Sequence, residues 1–436
     1  MNSKFFFIIL LLSGFATALS AATLENDPYP LFFLQRNLSR ILVNDNISPP
    51  VASRNYVYPH IAANDILSQK SKGRRIVSGL SDYPLKDAVA FEGKYSPSLA
   101  ASFAFEEVAV HLIYTAQPFI DSFAVLLDWY KTNGLDPALF ENSKRIGKET
   151  AVKVIAWMNR DGFAETRRMN KYVLLKSPGK WQLTSPGFFA AVEPHWGKIR
   201  PLVPLKKEQL DALLPIPFDT TSQSSFYREA KYVYDVNISL TEEQKLIASF
   251  WDCNPFALKP VGHITAFVKK ISPGGHWMNI VALACRRNQL NFQKTSEAFT
   301  LCAITMFNAF IYTWDKKYEY DYLRPETFIE QLGIDYNWQP YIQSPPFPEF
   351  PSGHAVISNA AAGVLTALFG KDYVFTDNTE TDFGLPERTF ASFEEAAAEA
   401  TISRVYGGIH FLFSCKTGQE MGKIISRQTL DRLYNR

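Results

Sequence analysis

A proline-rich loop ends, and a long run of helix-forming residues begins, at Phe347-Pro348-Glu349-Phe350-Pro351-Ser352-Gly353-His354. Pro351 cannot lie inside a helix and Ser352 is a favoured N-cap residue, so the helix is predicted to begin directly after them. The first backbone amides of a helix have no partner within it. Those of Gly353 and His354 therefore offer an anion-binding site. An ordinary capped helix has the same pattern, and the flanking sequence has to decide between the two.

Length, composition and charge set the broad class. The chain has 436 residues, of which 47% are hydrophobic, and a formal net charge of +2. This length allows two or three domains or one large helical one, with a sizeable buried core. So small a net charge gives no basis for a nucleic-acid partner.

The N-terminus has the pattern of a targeting segment. Lys4 precedes an apolar run over 5–12, and small residues follow over 16–22. This order is typical of a cleavable secretory signal, whose apolar part is too short for a stable membrane span. We therefore expect residues 1–21 to be a signal peptide and the mature protein to be periplasmic or secreted.

The four cysteines have no short paired spacing; they are Cys253, Cys285, Cys302 and Cys415. One disulfide in an oxidising compartment and four buried thiols are both compatible with this pattern. The chain also has no zinc-finger spacing, P-loop or GxSxG sequence, so none of these motifs indicates its chemistry.

Helical periodicity dominates the organisation of the chain. We expect an N-terminal, mostly helical region over 22–217, which ends in a proline-rich connection, and a C-terminal helical domain over 218–436 that carries the anion site. Within that domain, Thr241-Glu242-Glu243-Gln244 has the pattern of a capping box. The segment 294–314 is apolar but interrupted by threonine and asparagine, which favours a buried core helix over a membrane span. With no alternating strand pattern, the sequence predicts an all-α fold of packed helical bundles.

Basic and histidine side chains occur on both sides of the opening stretch. Pro325 places Arg324 in a loop after a helix. Arg404 and His410 lie about 240° apart on an ideal helix, so they converge only if the backbone breaks at Gly407-Gly408. Singly, each such residue is explained as a solvated charge or a core histidine. Together they provide the donors that a trivalent tetrahedral oxyanion needs. The set comprises Lys317, Arg324, Ser352, Gly353, His354, Arg404 and His410.

Three segments, Lys317-x6-Arg324-Pro325, Pro351-Ser352-Gly353-His354 and Ser403-Arg404-x5-His410, resemble the signature of one superfamily. It comprises type 2 phosphatidic acid phosphatases, bacterial acid phosphatases and vanadium-dependent haloperoxidases. Weaker similarity to soluble bacterial haloperoxidases extends from Pro194-His195-Trp196-Gly197 to Gly275-His276-Trp277. The resemblance implies an all-helical fold with the oxyanion deep in a bundle.

The resemblance also implies a role for each residue. The equatorial oxygens of vanadate or phosphate would bind Lys317, Arg324, Ser352, the Gly353 amide and Arg404. His410 would be the axial group, which is a direct vanadium ligand in a haloperoxidase and the phosphorylated nucleophile in a phosphatase. His354 would be the acid–base residue in either, and Lys317 would also act catalytically by withdrawing electron density from bound peroxide.

Three further positions separate the two chemistries. Ser414 lies four residues after His410, where phosphatases of the superfamily place an aspartate. We therefore expect the axial histidine to lack a carboxylate partner, which disfavours efficient phosphohistidine chemistry. Trp314 and Phe347 resemble the residues that bacterial iodoperoxidases and chloroperoxidases place beside vanadate, and they favour a haloperoxidase.

The resemblance therefore implies a vanadium-dependent haloperoxidase of the bacterial iodoperoxidase kind. Its cofactor would be vanadate, with no haem, and its substrates hydrogen peroxide and a halide. Both the missing carboxylate and the similarity to iodoperoxidases favour iodide, followed by bromide. The alternatives are a periplasmic acid phosphatase that forms a phosphohistidine at His410, and a secreted binding protein without turnover. The sequence leaves the oligomeric state open.

Overall fold

The structure is a computed structural model that describes residues 23–69, 75–85, 91–261, 263–331 and 335–434. The expected signal peptide over 1–21 lies outside these ranges. Helices dominate the described residues, and the strands form two short antiparallel pairs. The prediction of an all-α fold is thus confirmed.

The helices are numbered in chain order. The N-terminal and central ones are α1 (Tyr29–Asn44), α2 (Pro49–Ser68), α3 (Pro97–Leu112), α4 (Gln117–Thr132), α5 (Phe140–Met158), α6 (Phe163–Thr166), α7 (Glu208–Asp211), α8 (Ser225–Asn237) and α9 (Glu242–Phe250). The remaining ones are α10 (Pro273–Arg287), α11 (Phe292–Tyr320), α12 (Pro325–Gln331), α13 (Gly353–Phe369), α14 (Phe393–Tyr406) and α15 (Leu412–Leu433). The strands are β1 (Leu258–Val261) paired with β2 (Ile264–Phe267), and β3 (Phe375–Asp377) paired with β4 (Arg388–Phe390).

The chain divides into two compact units, each assembled from separate stretches of sequence. The first contains the described parts of 1–41, 55–158 and 285–300. In this unit α3 and α5 pack with their backbones in close approach. A methyl group on Gly147 of α5 would lie 2.6 Å from the carbonyl oxygen of Ala100 on α3, so only glycine fits there.

The second unit contains 42–54 and the described parts of 159–284 and 301–436. The predicted boundary at residue 217 lies inside this unit. Asn308 of α11 joins the helix to the loop at 202–203, which lies much earlier in the chain. Oδ1 of Asn308 accepts a hydrogen bond from the Leu202 amide at 2.9 Å, and its Nδ2 donates one to the Val203 carbonyl oxygen at 2.8 Å. The loop therefore packs with the C-terminal helices.

Helix α11 is longer than the predicted range of 294–314, and it carries Lys317 on its last turn. Its polar side chains are as buried as its apolar ones; Thr300, Thr305 and Asn308 are all fully buried. This burial confirms a core helix. Among the described residues, no helix combines the length and the apolar character that crossing a membrane requires.

Helix α15 fixes the N-terminal half of α13. A methyl group on Gly418 would lie 2.7 Å from the Ser352 carbonyl oxygen, and one on Gly422 would lie 2.4 Å from the Val356 carbonyl oxygen. These two glycines, one helical turn apart, let α15 lie directly on the backbone at the beginning of α13. The amides that the sequence predicted to be an anion site are thus held by close helix packing.

Two backbone breaks occur where the sequence predicted them. Helix α11 ends at Tyr320, so Arg324 lies in the loop before α12. Helix α14 ends at Tyr406, and Gly408 then adopts a φ of +77°, which L side chains rarely adopt. The chain turns there and brings His410 back beside Arg404 at the same cavity.

The cysteine question is settled in favour of buried thiols. Within the described part of the chain all four cysteines are buried and no disulfide joins them.

Replacing Gly422 by alanine is expected to lower the free energy of unfolding by about 1–3 kcal/mol, because the added methyl group overlaps the α13 backbone. Urea unfolding measures this change. The matched control is Gly274→Ala, whose methyl group would meet Phe310 at an ordinary 3.7 Å. Equal stability of the two variants would contradict the close approach of α15 to α13.

Candidate active site

The predicted site residues lie in and around one cavity of about 50 Å³ in the second unit. This is several times the roughly 10–15 Å³ that one water molecule needs. The predicted residues that line it are Trp314, Phe347, Gly353, His354, Arg404 and His410. Lys317, Arg324, Ser352 and Ser414 are fully buried and stand behind the lining residues.

Lys317 is held by the loop that precedes α13. Its ammonium group donates to three carbonyl oxygens, those of Pro348 at 2.8 Å, Glu349 at 2.9 Å and Pro351 at 2.7 Å. An ammonium has three N–H donors, so all of them are used. In this arrangement Lys317 acts on an anion through its charge, and a direct hydrogen bond requires one carbonyl to be exchanged.

Arg324 joins two loops behind the cavity. Its Nε and Nη2 donate to the Phe347 carbonyl at 3.2 and 2.9 Å, and its Nη1 donates to the Ile409 carbonyl at 2.9 Å. Nη1 also lies 3.1 Å from Nε2 of His410. Burial lowers the pKa of Arg324 to about 10, which reflects the cost of keeping its charge in the interior.

His410 has a defined tautomer. Its Nδ1 lies 2.7 Å from Oε1 of Glu349, and its Nε2 faces the donating guanidinium of Arg324. We therefore assign the proton to Nδ1, where it is donated to the carboxylate, and the lone pair to Nε2. Burial and the charge of Arg324 hold the pKa of His410 well below its usual range. The side chain is thus a neutral imidazole with a basic nitrogen facing the cations.

The expectation that the axial histidine lacks a carboxylate partner is wrong. Glu349 supplies the carboxylate from the loop before α13, and the buried Ser414 hydroxyl lies close to that same carboxylate. Oε1 of Glu349 also accepts the Phe411 amide at 3.1 Å. Burial raises the pKa of Glu349 to about 7, although Arg324 and Lys317 oppose the shift. An acidic residue between two prolines in an apolar loop was the available sequence signal.

Arg404 is anchored by the end of α9. Its Nη2 donates to the Trp251 carbonyl at 2.6 Å, and its Nε donates to the Ser403 hydroxyl at 3.0 Å. The guanidinium also lines the cavity. The backbone contacts hold Arg404 at the cavity wall with part of its donor fork available to a ligand.

The N-terminus of α13 completes the site. Ser352 is the N-cap residue, yet its hydroxyl makes no capping bond and is buried without a partner among the described residues. Its hydroxyl is thus able to donate a hydrogen bond to a ligand that lies beside the first amides of the helix. His354 follows on the first turn, partly exposed to the cavity. Burial and the charge of Arg404 hold its pKa well below the usual range, so it is a neutral base.

The charges of the site favour the binding of an anion. Lys317, Arg324 and Arg404 are buried cations, and Glu349 is the carboxylate that faces them. Burial and the charge of Arg324 lower the pKa of Lys317 well below its usual range. Buried charges are costly unless they are paired. A tetrahedral oxyanion in the cavity would offset this cost and engage the unpartnered Ser352 hydroxyl.

Comparisons with known proteins agree with this geometry. A family model described as "VCPO second helical-bundle domain" matches residues 297–435. A crystal structure described as the first bacterial vanadium-dependent iodoperoxidase is 38% identical, covers 93% of this chain and 97% of its own, and superposes with a TM-score of 0.87. The chain belongs to the vanadium-dependent haloperoxidases.

More distant members of the family share the fold. A bacterial vanadium-dependent chloroperoxidase in its holo form is 15% identical, covers 89% of this chain and 93% of its own, and has a TM-score of 0.64. The apo form of a bacterial chloroperoxidase is also 15% identical, covers 89% of this chain and 96% of its own, and has a TM-score of 0.62. No curated protein matches the chain. The resemblance drawn from the three sequence segments is thereby confirmed for the haloperoxidase family.

The Glu349→Gln substitution is expected to weaken the binding of orthovanadate about 10–100-fold, since such partners of a ligating histidine contribute on this scale. Glutamine keeps the size of the side chain but removes the negative charge behind His410. Equilibrium dialysis of the purified protein measures the affinity. Gly274→Ala is the control, because it lies outside the proposed ligand set and its added methyl group meets only Phe310 at 3.7 Å, and its affinity should stay within about twofold. An affinity unchanged in Glu349→Gln would contradict this role of the carboxylate.

Proposed function

We propose that this haloperoxidase oxidises iodide with hydrogen peroxide, with bromide as a poorer substrate, and that it works outside the cytoplasm. The observation that carries the proposal is the neutral His410, whose Nε2 faces a cluster of buried cations while Glu349 holds its other nitrogen. The similarity to a protein described as a vanadium-dependent iodoperoxidase supports the choice of halide.

The residues present fit vanadate as the cofactor. His410 would supply a ligating nitrogen, and the oxygens would be held by Arg324, Arg404, the Ser352 hydroxyl and the Gly353 amide. Lys317 would contribute its charge from behind. When bound, vanadate supplies a Lewis-acidic centre at which hydrogen peroxide can oxidise a halide by two electrons. The fit rests on the unpartnered Ser352 hydroxyl and on the excess of buried positive charge.

Glu349 and His410 act as a unit in this proposal. The carboxylate fixes the Nδ1 proton and increases the electron density at Nε2, which is the nitrogen that ligates. Arg324 contacts the same nitrogen and the loop carbonyls, so it aligns His410 before any ligand arrives. Binding at Nε2 requires this nitrogen to exchange its contact with Arg324, while the contact of Nδ1 with Glu349 stays in place and keeps the ring aligned.

His354 is proposed to move the proton. It is neutral, lines the cavity and carries no hydrogen bond within the described structure that would block its ring nitrogens. It can therefore take a proton from hydrogen peroxide as the peroxide enters. The overall reaction consumes a halide, a peroxide and a proton and yields hypohalous acid and water, so His354 can return the same proton to the oxygen that leaves as water.

Trp314 and Phe347 are proposed to form the halide side of the cavity. Their ring centroids lie 5.0 Å apart, and the Lys317 ammonium lies 5.2 Å from the Phe347 ring. This wall excludes water while a positive charge lies just behind it. Iodide is a large, weakly hydrated anion, so it loses little hydration free energy when it moves from water to the side of the cavity formed by these two rings. The earlier support for iodide from a missing carboxylate no longer stands.

Two further features remain proposals that rest on the sequence. The order of residues in 1–22 supports a cleaved signal peptide and a periplasmic or secreted location. The three motif segments support membership of the wider superfamily that includes type 2 phosphatidic acid phosphatases and bacterial acid phosphatases.

Purified protein incubated with orthovanadate should form triiodide from iodide and hydrogen peroxide, and protein without vanadate should not. His410→Ala is expected to abolish both triiodide formation and vanadate retention after desalting, because it removes the nitrogen that would hold vanadate. Gly274→Ala, which lies outside the proposed ligand set, should retain both. Vanadate retention unchanged in His410→Ala would show that the axial assignment is wrong.

Phosphomonoesterase activity is the second candidate, and the Glu349–His410 pair favours it. A carboxylate behind a histidine also activates that histidine as a nucleophile. Aryl-phosphate hydrolysis should be measured on the vanadate-free protein beside the iodide assay. Phosphate release without any vanadate-dependent triiodide would overturn the haloperoxidase proposal. Loss of both activities would favour a binding protein on the same fold.

The pKa of His354 should respond to the oxyanion. Without ligand the group is expected to titrate below pH 6.5, because burial and the Arg404 charge disfavour its protonated form. Added orthovanadate should raise the midpoint, since its negative charge opposes that of Arg404. NMR of labelled histidines measures both midpoints, with His354→Gln to assign the signal. A midpoint that vanadate lowers or leaves unchanged would contradict a position for His354 beside the bound oxyanion.

A further inference from the structure

A second buried cluster lies behind the active-site cavity. His276 is on the first turn of α10, Asp377 ends β3, and Glu380 follows in a short 3-10 helix at 379–383. Cys253 lies in the loop after α9 and also lines the cavity. The exposed fractions of these side chains are small, at 0% for His276, 0% for Asp377, 3% for Cys253 and 5% for Glu380. The haloperoxidase chemistry proposed above uses none of them.

Three potential ligand atoms face one another in this cluster. Nδ1 of His276 lies 3.0 Å from Oε1 of Glu380 and 3.8 Å from Sγ of Cys253. All three atoms lie within 4.8 Å of one another. The ring nitrogen, the carboxylate oxygen and the sulfur therefore surround one small space.

The other nitrogen of His276 is already committed. Nε2 lies 2.6 Å from Oδ2 of Asp377. A histidine that ligates a metal usually donates its second N–H to a carboxylate, which fixes the ring and increases the basicity of the ligating nitrogen. Asp377 is itself held by its own turn, since its Oδ1 accepts the Thr379 amide at 2.9 Å. The ring of His276 is thus oriented with Nδ1 toward Cys253 and Glu380.

A proton on Nδ1 does not satisfy this arrangement. The single N–H can point at one acceptor, and two approach it. Oε1 of Glu380 is fully buried, lies 3.0 Å from Nδ1 and has no other hydrogen-bond partner among the described residues. One proton on Nδ1 therefore leaves either this oxygen or the Cys253 sulfur without a hydrogen bond from the ring, and buried polar groups are rarely left so.

We propose that Cys253, His276 and Glu380 bind a divalent zinc ion, with Asp377 positioning the histidine. In a tetrahedral zinc site, metal–ligand bonds of about 2.0–2.3 Å place neighbouring ligand atoms roughly 3.3–3.6 Å apart. The observed separations of 3.0 and 3.8 Å bracket that value. Three protein ligands leave the fourth position to a water molecule.

The donor set selects the kind of ion. A thiolate excludes magnesium and calcium, which prefer oxygen ligands, while a mixed sulfur, nitrogen and oxygen set suits zinc. Binding releases the Cys253 thiol proton and the Nδ1 proton of His276 to solvent, so the charge of the ion replaces two buried protons. The sum of zinc, thiolate and the Glu380 carboxylate is neutral, which suits a buried site.

The cluster is connected to Arg404 of the active site through Trp251. The Trp251 ring stacks on the His276 ring at 4.6 Å with an interplanar angle of 18°. The Trp251 carbonyl in turn accepts from Nη2 of Arg404 at 2.6 Å. An ion that fixes His276 and Cys253 therefore fixes the chain segment on which Arg404 is anchored.

The test is zinc content of the full-length protein. After incubation with zinc and desalting, the protein should retain about one zinc per chain by elemental analysis, and cobalt substitution should give a thiolate-to-cobalt charge-transfer band. Cys253→Ser and Glu380→Gln should each lose most of the zinc, and Cys253→Ser should lose the band. Cys285→Ser is the matched control, since it removes another buried thiol away from the cluster, and it should keep both.

A chelator separates binding from folding. It should lower the melting temperature of the wild type and of Cys285→Ser by several degrees, and leave that of Cys253→Ser unchanged. Absence of retained zinc in the wild type, or retention equal in Cys253→Ser, would overturn the proposal. In that case the occupant of the cluster is a proton on His276, held between two carboxylates. None of these readouts depends on halide oxidation.

Discussion

The contact between Glu349 and His410 is the interaction on which the site depends. It places a proton on Nδ1, so that the lone pair of Nε2 is directed toward Arg324 and the cavity. It also places a negative charge among buried cations that would otherwise repel one another. Burial and nearby cations act on Glu349 in opposite directions, and its pKa of about 7 shows that burial has the larger effect.

Local rules predicted most of the positions that form the site. A proline after Arg324 predicted a residue outside the helix, and glycines after Arg404 predicted a break that returns His410 to the same cavity. Ser352 before a helix predicted free amides. Each of these predictions depends only on residues that are adjacent or nearly adjacent in the sequence. Glu349 could not be predicted in this way because it lies 61 residues before His410, whereas the sequence argument considered only position 414, four residues after that histidine.

The division into units could not be predicted in the same way. Residues 292–300 of α11 belong to the first unit and 301–320 to the second, although the helix is continuous. Helical periodicity shows which face of a helix is buried and gives no information about what buries it. The polar contacts of Asn308 with the loop at 202–203 decide the grouping of that segment. The proposed zinc ligands could not be predicted from the sequence for a related reason, since they come from three separate segments whose spacing matches no metal-binding motif.

The three carbonyl contacts of Lys317 have a consequence for the loop before α13. Pro348, Glu349 and Pro351 surround the ammonium as a tripod, and the same loop carries the carboxylate that orients His410. The loop therefore cannot open without releasing the lysine and the imidazole together. Opening of this loop would therefore be a local unfolding event in which several contacts break together. A change at any one of these contacts acts on the others, so the lysine and the imidazole are held by one shared piece of backbone.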